Sequence, residues 1–187
     1  MLLALFAFMV GVFAWTLLEY LMHRFAFHGG SSKWPGAKVH RRHHTQSDYF
    51  VPWWQKAMVA LAVIAILVPL LSLAVGMQAG IAGTLGVVAG YLLYEVVHRR
   101  AHTHPPRGRF GRWLRKHHFA HHFINPRMAQ GVSTPVWDIL FGTRLTVDRV
   151  PVPRRMAMCW LLDGNGEIKA AYTRDYELVG AAPRGQA

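Results

Sequence analysis

The histidines are the residues of this chain whose type and spacing point most directly to chemistry. All twelve fall in two windows, 23–44 and 98–122. Imidazole nitrogen binds iron, zinc, copper and nickel, and histidine-rich tracts are typical of metal binding. The single cysteine, Cys159, excludes a zinc site built from several thiolates. The sequence therefore predicts a metal site whose ligands are nitrogen or oxygen atoms.

Spacing within each window places several histidines together on a helix face. His98 and His102 are four residues apart, so on a helix they lie one above the other. The segments 40–44 (HRRHH) and 118–122 (HFAHH) repeat one pattern, in which two further histidines follow the first after three and four residues. In each segment the three side chains crowd one face and can reach two adjacent metals.

His23 and His28 are five residues apart, which places them well off one face of a regular α-helix. If both bind metal, the helix must end or loosen near residues 27–30. The ten histidines of these four groups exceed the needs of one tetrahedral zinc ion, so two metal ions are the economical interpretation. A loose store of metal on surface histidines is the alternative.

Three segments are long and apolar enough to cross a bilayer, which takes about 20 residues per helix. They are 2–22, 57–75 and 79–97. The first lacks the basic start and the cleavage pattern of a secretory signal, so we interpret it as a retained span. The second and third are joined by a very short connection and predict a tight helical hairpin, with Pro69 as the site of a kink. Each histidine window begins where a span ends.

The third span carries a row of glycines at a spacing that favours close packing against a neighbouring helix. The row begins at Gly76 in the preceding turn and continues through Gly80, Gly83, Gly86 and Gly90 of the span. A dinucleotide-binding glycine motif is excluded, because no strand precedes the row and the row lies within an apolar segment.

The charge of the chain is +12, with 21 Lys and Arg against 9 Asp and Glu. If the N-terminus lies outside, every basic residue from Arg24 to Arg184 falls on the same side of the membrane as the histidines. Basic residues concentrate on the cytoplasmic side of membrane proteins. We therefore expect a multi-pass protein of a bacterial inner membrane, with the histidines at its cytoplasmic face and no nucleic-acid partner.

Four histidine motifs and three later landmarks follow one another along the chain. They are HRFAFH (23–28), HRRHH (40–44), HRRAH (98–102) and HFAHH (118–122), followed by Asn125, Gly131-Val132 and WDILFGT (137–143). Over about residues 12–145 this order resembles the fatty acid hydroxylase and sterol desaturase superfamily, and most closely its fatty acid 2-hydroxylase branch.

The resemblance implies an all-α integral membrane protein. Three transmembrane helices, one plus a helical hairpin, would lie beneath a cytosolic histidine-rich helical cap. It also implies an O₂-dependent enzyme with two iron ions, which zinc can replace in purified protein. The implied metal ligands are His23, His28, His40, His43, His44, His98, His102, His118, His121 and His122.

The sequence departs from larger members of that superfamily in ways that bear on its partners. It shows no cytochrome b5-like domain, so electrons are expected from a separate donor of the ferredoxin or cytochrome type. It shows three spans where larger members have four, and a homodimer formed through an exposed face would restore the missing wall of the substrate pocket. The other expected partners are membrane lipids and a lipid substrate.

Six further residues are candidates for orienting the ligands. Glu19 lies four residues before His23, and Glu95 lies three before His98, so each can accept a hydrogen bond from the second nitrogen of its histidine. The other candidates are Asn125, Asp138, His104 and His117. For the two spare histidines a bystander role is favoured.

From these features we expect hydroxylation of a lipid C–H bond, with a fatty acyl chain as substrate. A carotenoid or sterol hydroxylase or desaturase is the alternative within the superfamily, and a histidine-rich metal carrier is the alternative from another class. A carrier needs ligands partway through its spans, where no histidine occurs. Residues 1–145 are predicted to form the membrane-embedded domain and 146–187 a cytosolic extension with a partly disordered tail. Within these, 137–143 predict a surface helix and 163–167 a hairpin turn.

Overall fold

The computed structural model describes residues 1–29 and 33–180, which are mainly helical. In chain order the elements are α1 (Leu2–Leu21), a π-helical turn (Met22–His28), α2 (Pro35–Thr45), α3 (Trp53–Val75), α4 (Met77–Thr103), α5 (Gly108–Phe123), α6 (Val136–Leu140), β1 (Val150–Pro153) and β2 (Tyr176–Val179). Within these ranges three helices are long and apolar enough to cross a membrane: Leu2–His28, Trp53–Val75 and Met77–Thr103. The three predicted spans are confirmed.

Glycines bring the backbones of α1 and α4 into direct contact. A Cβ atom on Gly86 would lie 2.1 Å from the carbonyl oxygen of Phe8, and one on Gly90 would lie 2.6 Å from Cβ of Trp15. The contacts advance in the same order along both helices, so α1 and α4 run in parallel and end on the same side. This close approach confirms the packing role predicted for the glycine row.

α3 packs against α4 as the other arm of the predicted hairpin. Gly76 turns the chain with a φ of 85°, and a Cβ atom on Gly80 would lie 2.4 Å from the backbone nitrogen of Ser72. Pro69 lies inside α3, which continues through it as one helix. None of the residues of α3 is buried, so its apolar outer face is available to lipid.

The chain continues beyond α1 as a π-helical turn, Met22–His28. In a π-helix each backbone hydrogen bond spans five residues, so residues five apart lie nearly one above the other. His23 and His28 are thereby placed on one side of the turn. The loosening predicted near 27–30 begins at Met22, and residue 30 lies outside the described ranges.

The C-terminal extension packs directly on α5. Its hydrophobic core contains Val150, Val152, Met158, Trp160, Leu161 and Tyr176, together with Phe119 and Ala120 of α5. β1 and β2 pair in parallel, from Val150 opposite Tyr176 to Pro153 opposite Val179. This small sheet adds a β element that the sequence did not predict, because four-residue strands show too little alternation to be recognised.

Both predicted local features of the C-terminal half are present. Leu162 and Ile168 form an antiparallel bridge on either side of the 163–167 turn. α6 lies where the surface helix was expected, and Gly142 follows it with a φ of 68°. A partly disordered tail was predicted at the end of the extension. β2 lies at Tyr176–Val179, and residues 181–187 lie outside the described ranges.

Candidate metal centre

Ten histidines converge in two groups of five at the end of the bundle where α1 and α4 finish. The first histidine group is His23, His28, His40, His44 and His121, and the second histidine group is His43, His98, His102, His118 and His122. Within each group, every member offers a ring nitrogen within 4.8 Å of those of all the others. The structure therefore brings together all ten residues that the sequence proposed as ligands.

Four helical segments deliver these side chains, and two of them serve both groups. The π-helical turn contributes only to the first group, and α4 contributes only to the second. α2 and α5 lie between the two groups and contribute to each. Their histidines at three- and four-residue spacing fan out along one face, so a single helix reaches two adjacent sites.

In the first histidine group the Nε2 atoms face one another at short distances. The Nε2 atom of His40 lies 2.8 Å from that of His28, 3.0 Å from that of His23 and 3.0 Å from that of His44. The Nε2 atom of His121 lies 3.0 Å from that of His28 and 3.1 Å from that of His44. All five nitrogens surround one point.

The second histidine group is arranged in the same way and is more deeply buried. The Nε2 atom of His43 lies 3.0 Å from that of His98 and 3.1 Å from that of His102. The Nε2 atom of His102 lies 2.8 Å from that of His118. Both ring nitrogens of His122 are buried and have no hydrogen-bond partner among the described residues. A cation bound in the group would satisfy one of these two nitrogens.

Each group could hold one metal ion that its histidines share. Metal–nitrogen bonds of about 2.1 Å at right angles separate neighbouring nitrogens by about 3.0 Å, whereas tetrahedral angles separate them by about 3.4 Å. The shortest Nε2 separations in both groups, 2.8 to 3.1 Å, are short enough for one ion to bind several nitrogens of the same group. Neutral imidazole donors of this kind suit iron, zinc, copper or nickel.

Burial keeps these imidazoles in the neutral form that binds metal. Burial first, and then the neighbouring imidazoles, lower the pKa of His44 to about 2. The same causes lower the pKa well below the usual value at His40, His118, His121 and His122. At neutral pH each of these rings therefore has a free lone pair to offer.

Backbone carbonyls orient two rings of the first group. The Nδ1 atom of His23 donates to the carbonyl oxygen of Gln130 at 2.5 Å, and that of His121 donates to the carbonyl oxygen of Met128 at 2.8 Å. A carbonyl only accepts hydrogen bonds, so both rings carry their proton on Nδ1 and direct the Nε2 lone pair into the group.

The second group is supported mainly from the side of α5 and the C-terminal extension. Trp160 of the extension donates from Nε1 to the carbonyl oxygen of Ala101 at 3.1 Å, next to His102. The Nδ1 atom of His43 donates to the carbonyl oxygen of Tyr49 at 2.9 Å. The hydrogen bond from Trp160, which lies in the hydrophobic core of the extension, therefore holds the segment that carries His102.

One of the predicted carboxylates, Glu19, contacts a loop instead of a histidine. Glu19 accepts hydrogen bonds from the backbone N–H groups of Val132 and Ser133 at 2.6 and 3.0 Å, and the expected bond from His23 goes to Gln130 instead. Both side chains contact the same loop, His23 at Gln130 and Glu19 at Val132 and Ser133. Glu19 acts on the histidine only through this loop.

Asp138 is fully buried and accepts a hydrogen bond from Nε2 of His117 at 3.1 Å. Burial alone would raise the pKa of Asp138, but hydrogen bonds from His117, Thr143 and the amides of Gly131 and Gln130 outweigh it and hold the pKa below its usual value. Asp138 is therefore ionised at neutral pH. His117, which donates to it, lies outside both histidine groups.

The remaining candidates lie away from the two groups. Glu95 forms an ion pair with Lys56, because an acid near the end of a span is stabilised by a basic partner. Asn125 accepts a hydrogen bond from the backbone of Arg127 at 3.0 Å. His104 is exposed, as expected for a bystander.

Sequence reasoning missed the carbonyl groups that orient His23 and His121. Backbone oxygens carry no signature in residue type, and Gln130 is 107 residues away from His23. In the structure, Ala129 between these two carbonyls has a φ of 55°, which costs a non-glycine residue about 1–3 kcal/mol. Strain of this kind is concentrated at functional sites.

Comparison with known proteins agrees with this geometry. The model of the fatty acid hydroxylase family matches residues 8–143. The chain is 35% identical over 144 residues to a fatty acid 2-hydroxylase of Macaca fascicularis, covering 73% of this chain and 38% of that protein. It is 31% identical over 137 residues to the dihydroceramide fatty acyl 2-hydroxylase FAH2 of Arabidopsis thaliana, covering 71% of this chain and 58% of that protein.

A solved structure is similar as well. Full-length scs7p, of which only the hydroxylase domain is visible, superposes with a TM-score of 0.61 at 30% identity, covering 78% of this chain and 57% of that one. The chain thus spans between about two fifths and three fifths of the length of the proteins it matches.

Proposed function

The chain belongs to the fatty acid hydroxylase family, and we propose that it hydroxylates a C–H bond of a lipid acyl chain with O₂ and two external electrons. The observation that carries this proposal is the pair of histidine groups placed where two apolar helices end. One oxygen atom of O₂ enters the C–H bond, and the other leaves as water after taking up two electrons and two protons.

The ten histidines are the proposed ligands, with one iron ion in each group and zinc as a substitute in purified protein. Iron bound there would supply the activation of O₂, which no side chain of this chain can provide. The residues themselves hold and orient the ions and exclude water, since eight of the ten histidines are buried. His28 and His44 are the half-buried members, so access to the first group is open on their side.

The substrate is proposed to enter laterally from the bilayer. The two helices that lead to the histidine groups present exposed apolar side chains, for example Phe13 on α1 and Leu92 on α4. Several relatives are named for 2-hydroxylation of fatty acids or of fatty acyl groups in dihydroceramide. By analogy, position 2 of an acyl chain is the proposed target, and the sterol and carotenoid alternatives lose support.

We further propose that the histidine groups face the cytoplasm. All Lys and Arg residues lie beyond the apolar segments, on the side of the histidines. The matched relatives are eukaryotic, so a bacterial inner membrane stays a prediction. Cys159 is the only cysteine of the sequence and is exposed, so its labelling by a thiol reagent can report which side of the membrane it lies on.

A membrane-impermeant maleimide should label Cys159 only after cells are permeabilised. In a Cys159→Ser background, Gln78→Cys places a thiol at the opposite end of the bundle and should be labelled in intact cells. Labelling of Cys159 in intact cells would show that the histidine groups face the outside and would contradict the proposed orientation.

Electrons are proposed to come from a separate ferredoxin or cytochrome, and a homodimer stays a prediction. The function itself is tested by lipid profiling of cells that express the chain together with such a donor. Wild-type protein should produce 2-hydroxylated acyl chains, and His121→Ala should produce none. His104→Ala is the matched control and should retain activity. Unhydroxylated lipids in all three strains, with folded protein and a competent donor, would contradict the proposal.

A further inference from the structure

The loop of residues 128–133 carries four successive backbone N–H groups that end on two carboxylates. Asp138 accepts from Gln130 and Gly131, each at 2.8 Å. Glu19 accepts from Val132 and Ser133, and also from the hydroxyl of Ser133. The 128–133 loop is therefore held by acids from both α6 and α1.

The opposite side of the same loop faces the first histidine group. The carbonyl oxygens of Met128 and Gln130 accept from Nδ1 of His121 and His23. Between them, Ala129 is buried and has a φ of 55°, a left-handed conformation that only the surrounding bonds can maintain in a residue with a Cβ atom.

Close packing leaves the loop little freedom to move. A Cβ atom on Gly131 would lie 2.2 Å from the carbonyl oxygen of Thr134. The N–H of Ala129 donates to the carbonyl oxygen of Thr143 at 2.7 Å, and the hydroxyl of Thr143 donates to Asp138 at 2.7 Å. His117 adds a fourth donor to the same carboxylate.

We propose that Asp138 and Glu19 are positioning residues that act through the 128–133 loop on the metal bound by the first histidine group. This inference rests on the proposed metal ligands. Two carboxylates hold the strained loop, the loop holds two imidazole rings by Nδ1, and the rings direct Nε2 to the metal. The second histidine group has no contact with this loop among the described hydrogen bonds, so the effect that passes through the loop is confined to the first group.

The test uses Asp138→Asn in the full-length protein. Each of the two carboxylate oxygens of Asp138 accepts two hydrogen bonds. An amide offers one oxygen and one NH₂ group, so in the variant two of the four donors lose their acceptor. With zinc as the probe, one of the two bound ions should be transferred to a competing chelator about tenfold to hundredfold more readily, the range typical of outer ligand contacts. The other ion should be unaffected.

Variants that lack one histidine group at a time show which of the two ions Asp138→Asn loosens. With His98 and His122 both replaced by Ala, Asp138→Asn should still loosen the remaining ion. With His28 and His44 both replaced by Ala, it should have no effect. Arg154→Ala breaks a partly exposed ion pair with Glu167 within the C-terminal extension and is the control, with both ions unchanged.

Ser133→Ala is a milder second variant that removes one hydrogen bond to Glu19 and keeps the proposal testable if Asp138→Asn does not fold. It should loosen the same ion by a smaller factor, while thermal unfolding of the metal-free protein stays close to that of the control. Equal loosening of both ions, or none, in folded variants would overturn the positioning role. Failure of wild-type protein to bind two ions would instead contradict the proposed ligands.

Discussion

The two histidine groups are chemically alike but are supported by different parts of the chain. The first is oriented by backbone carbonyls of a loop that two carboxylates hold, within the region matched by the family model. The second lies beneath α5 and a C-terminal extension whose hydrophobic core lies largely beyond that region. The loop therefore supports the first group, and the C-terminal extension supports the second. Changes to each support should affect the two sites differently.

The largest effect is expected when a ligand is lost from either group. Because both ions are proposed to be required, His43→Ala in the second group should abolish lipid hydroxylation as completely as His121→Ala in the first. Product formation in cells and metal content after purification check this outcome. Substantial activity in one variant alone would show that a single group is sufficient.

Disruption of the contact between α1 and α4 should affect both groups together. In Gly86→Leu the new side chain would meet the backbone of Phe8, where a Cβ atom alone would lie 2.1 Å from its carbonyl oxygen. The helices must separate, and His23 then moves away from the level of His98. Metal titration should show loss of both ions. Leu85→Ala, on the exposed side of α4, is the control and should bind two.

Truncation of the core of the extension should affect the second group first. Trp160 is buried against Phe119, and loss of a buried tryptophan costs about 3–5 kcal/mol of unfolding free energy. Trp160→Ala should therefore lower the unfolding temperature and release the ion of the second group more readily. Trp54→Ala, which removes a half-exposed side chain, should do neither. Selective loss of the first ion would contradict the division of support.

The smallest effect is expected at His104. This residue is exposed and belongs to neither group, so His104→Ala should retain two ions and most of the activity. Loss of an ion in this variant would mean that the spare histidine is a ligand.

Much of this arrangement could be predicted because it is periodic. Apolar runs indicate the spans, and three- and four-residue spacings place the histidines of α2 and α5 on one face. His23 and His28 could not be placed by regular helix geometry, because their five-residue spacing requires the α-helix to end or loosen, and the structure resolves this as a π-helical turn. Sequence spacing therefore predicted that the helix had to change, but not the form of the change.

Contacts between distant segments could not be predicted in the same way. Glu19 and Glu95 lie at helical spacing from histidines, yet their partners are the backbone of Val132 and Ser133 and the side chain of Lys56. These partners are brought near only by the tertiary fold. The parallel pairing of β1 and β2 likewise joins segments that are separated by a long connection.

The most direct test of the central claim, that each histidine group holds one iron ion, is the iron content of protein purified without oxygen. Wild-type protein should contain about two ions per chain. Replacing His28 and His44 together, or His98 and His122 together, by Ala should leave about one. Variable amounts of weakly bound, exchangeable zinc in the wild-type protein, or an unchanged iron content in either double variant, would contradict the claim.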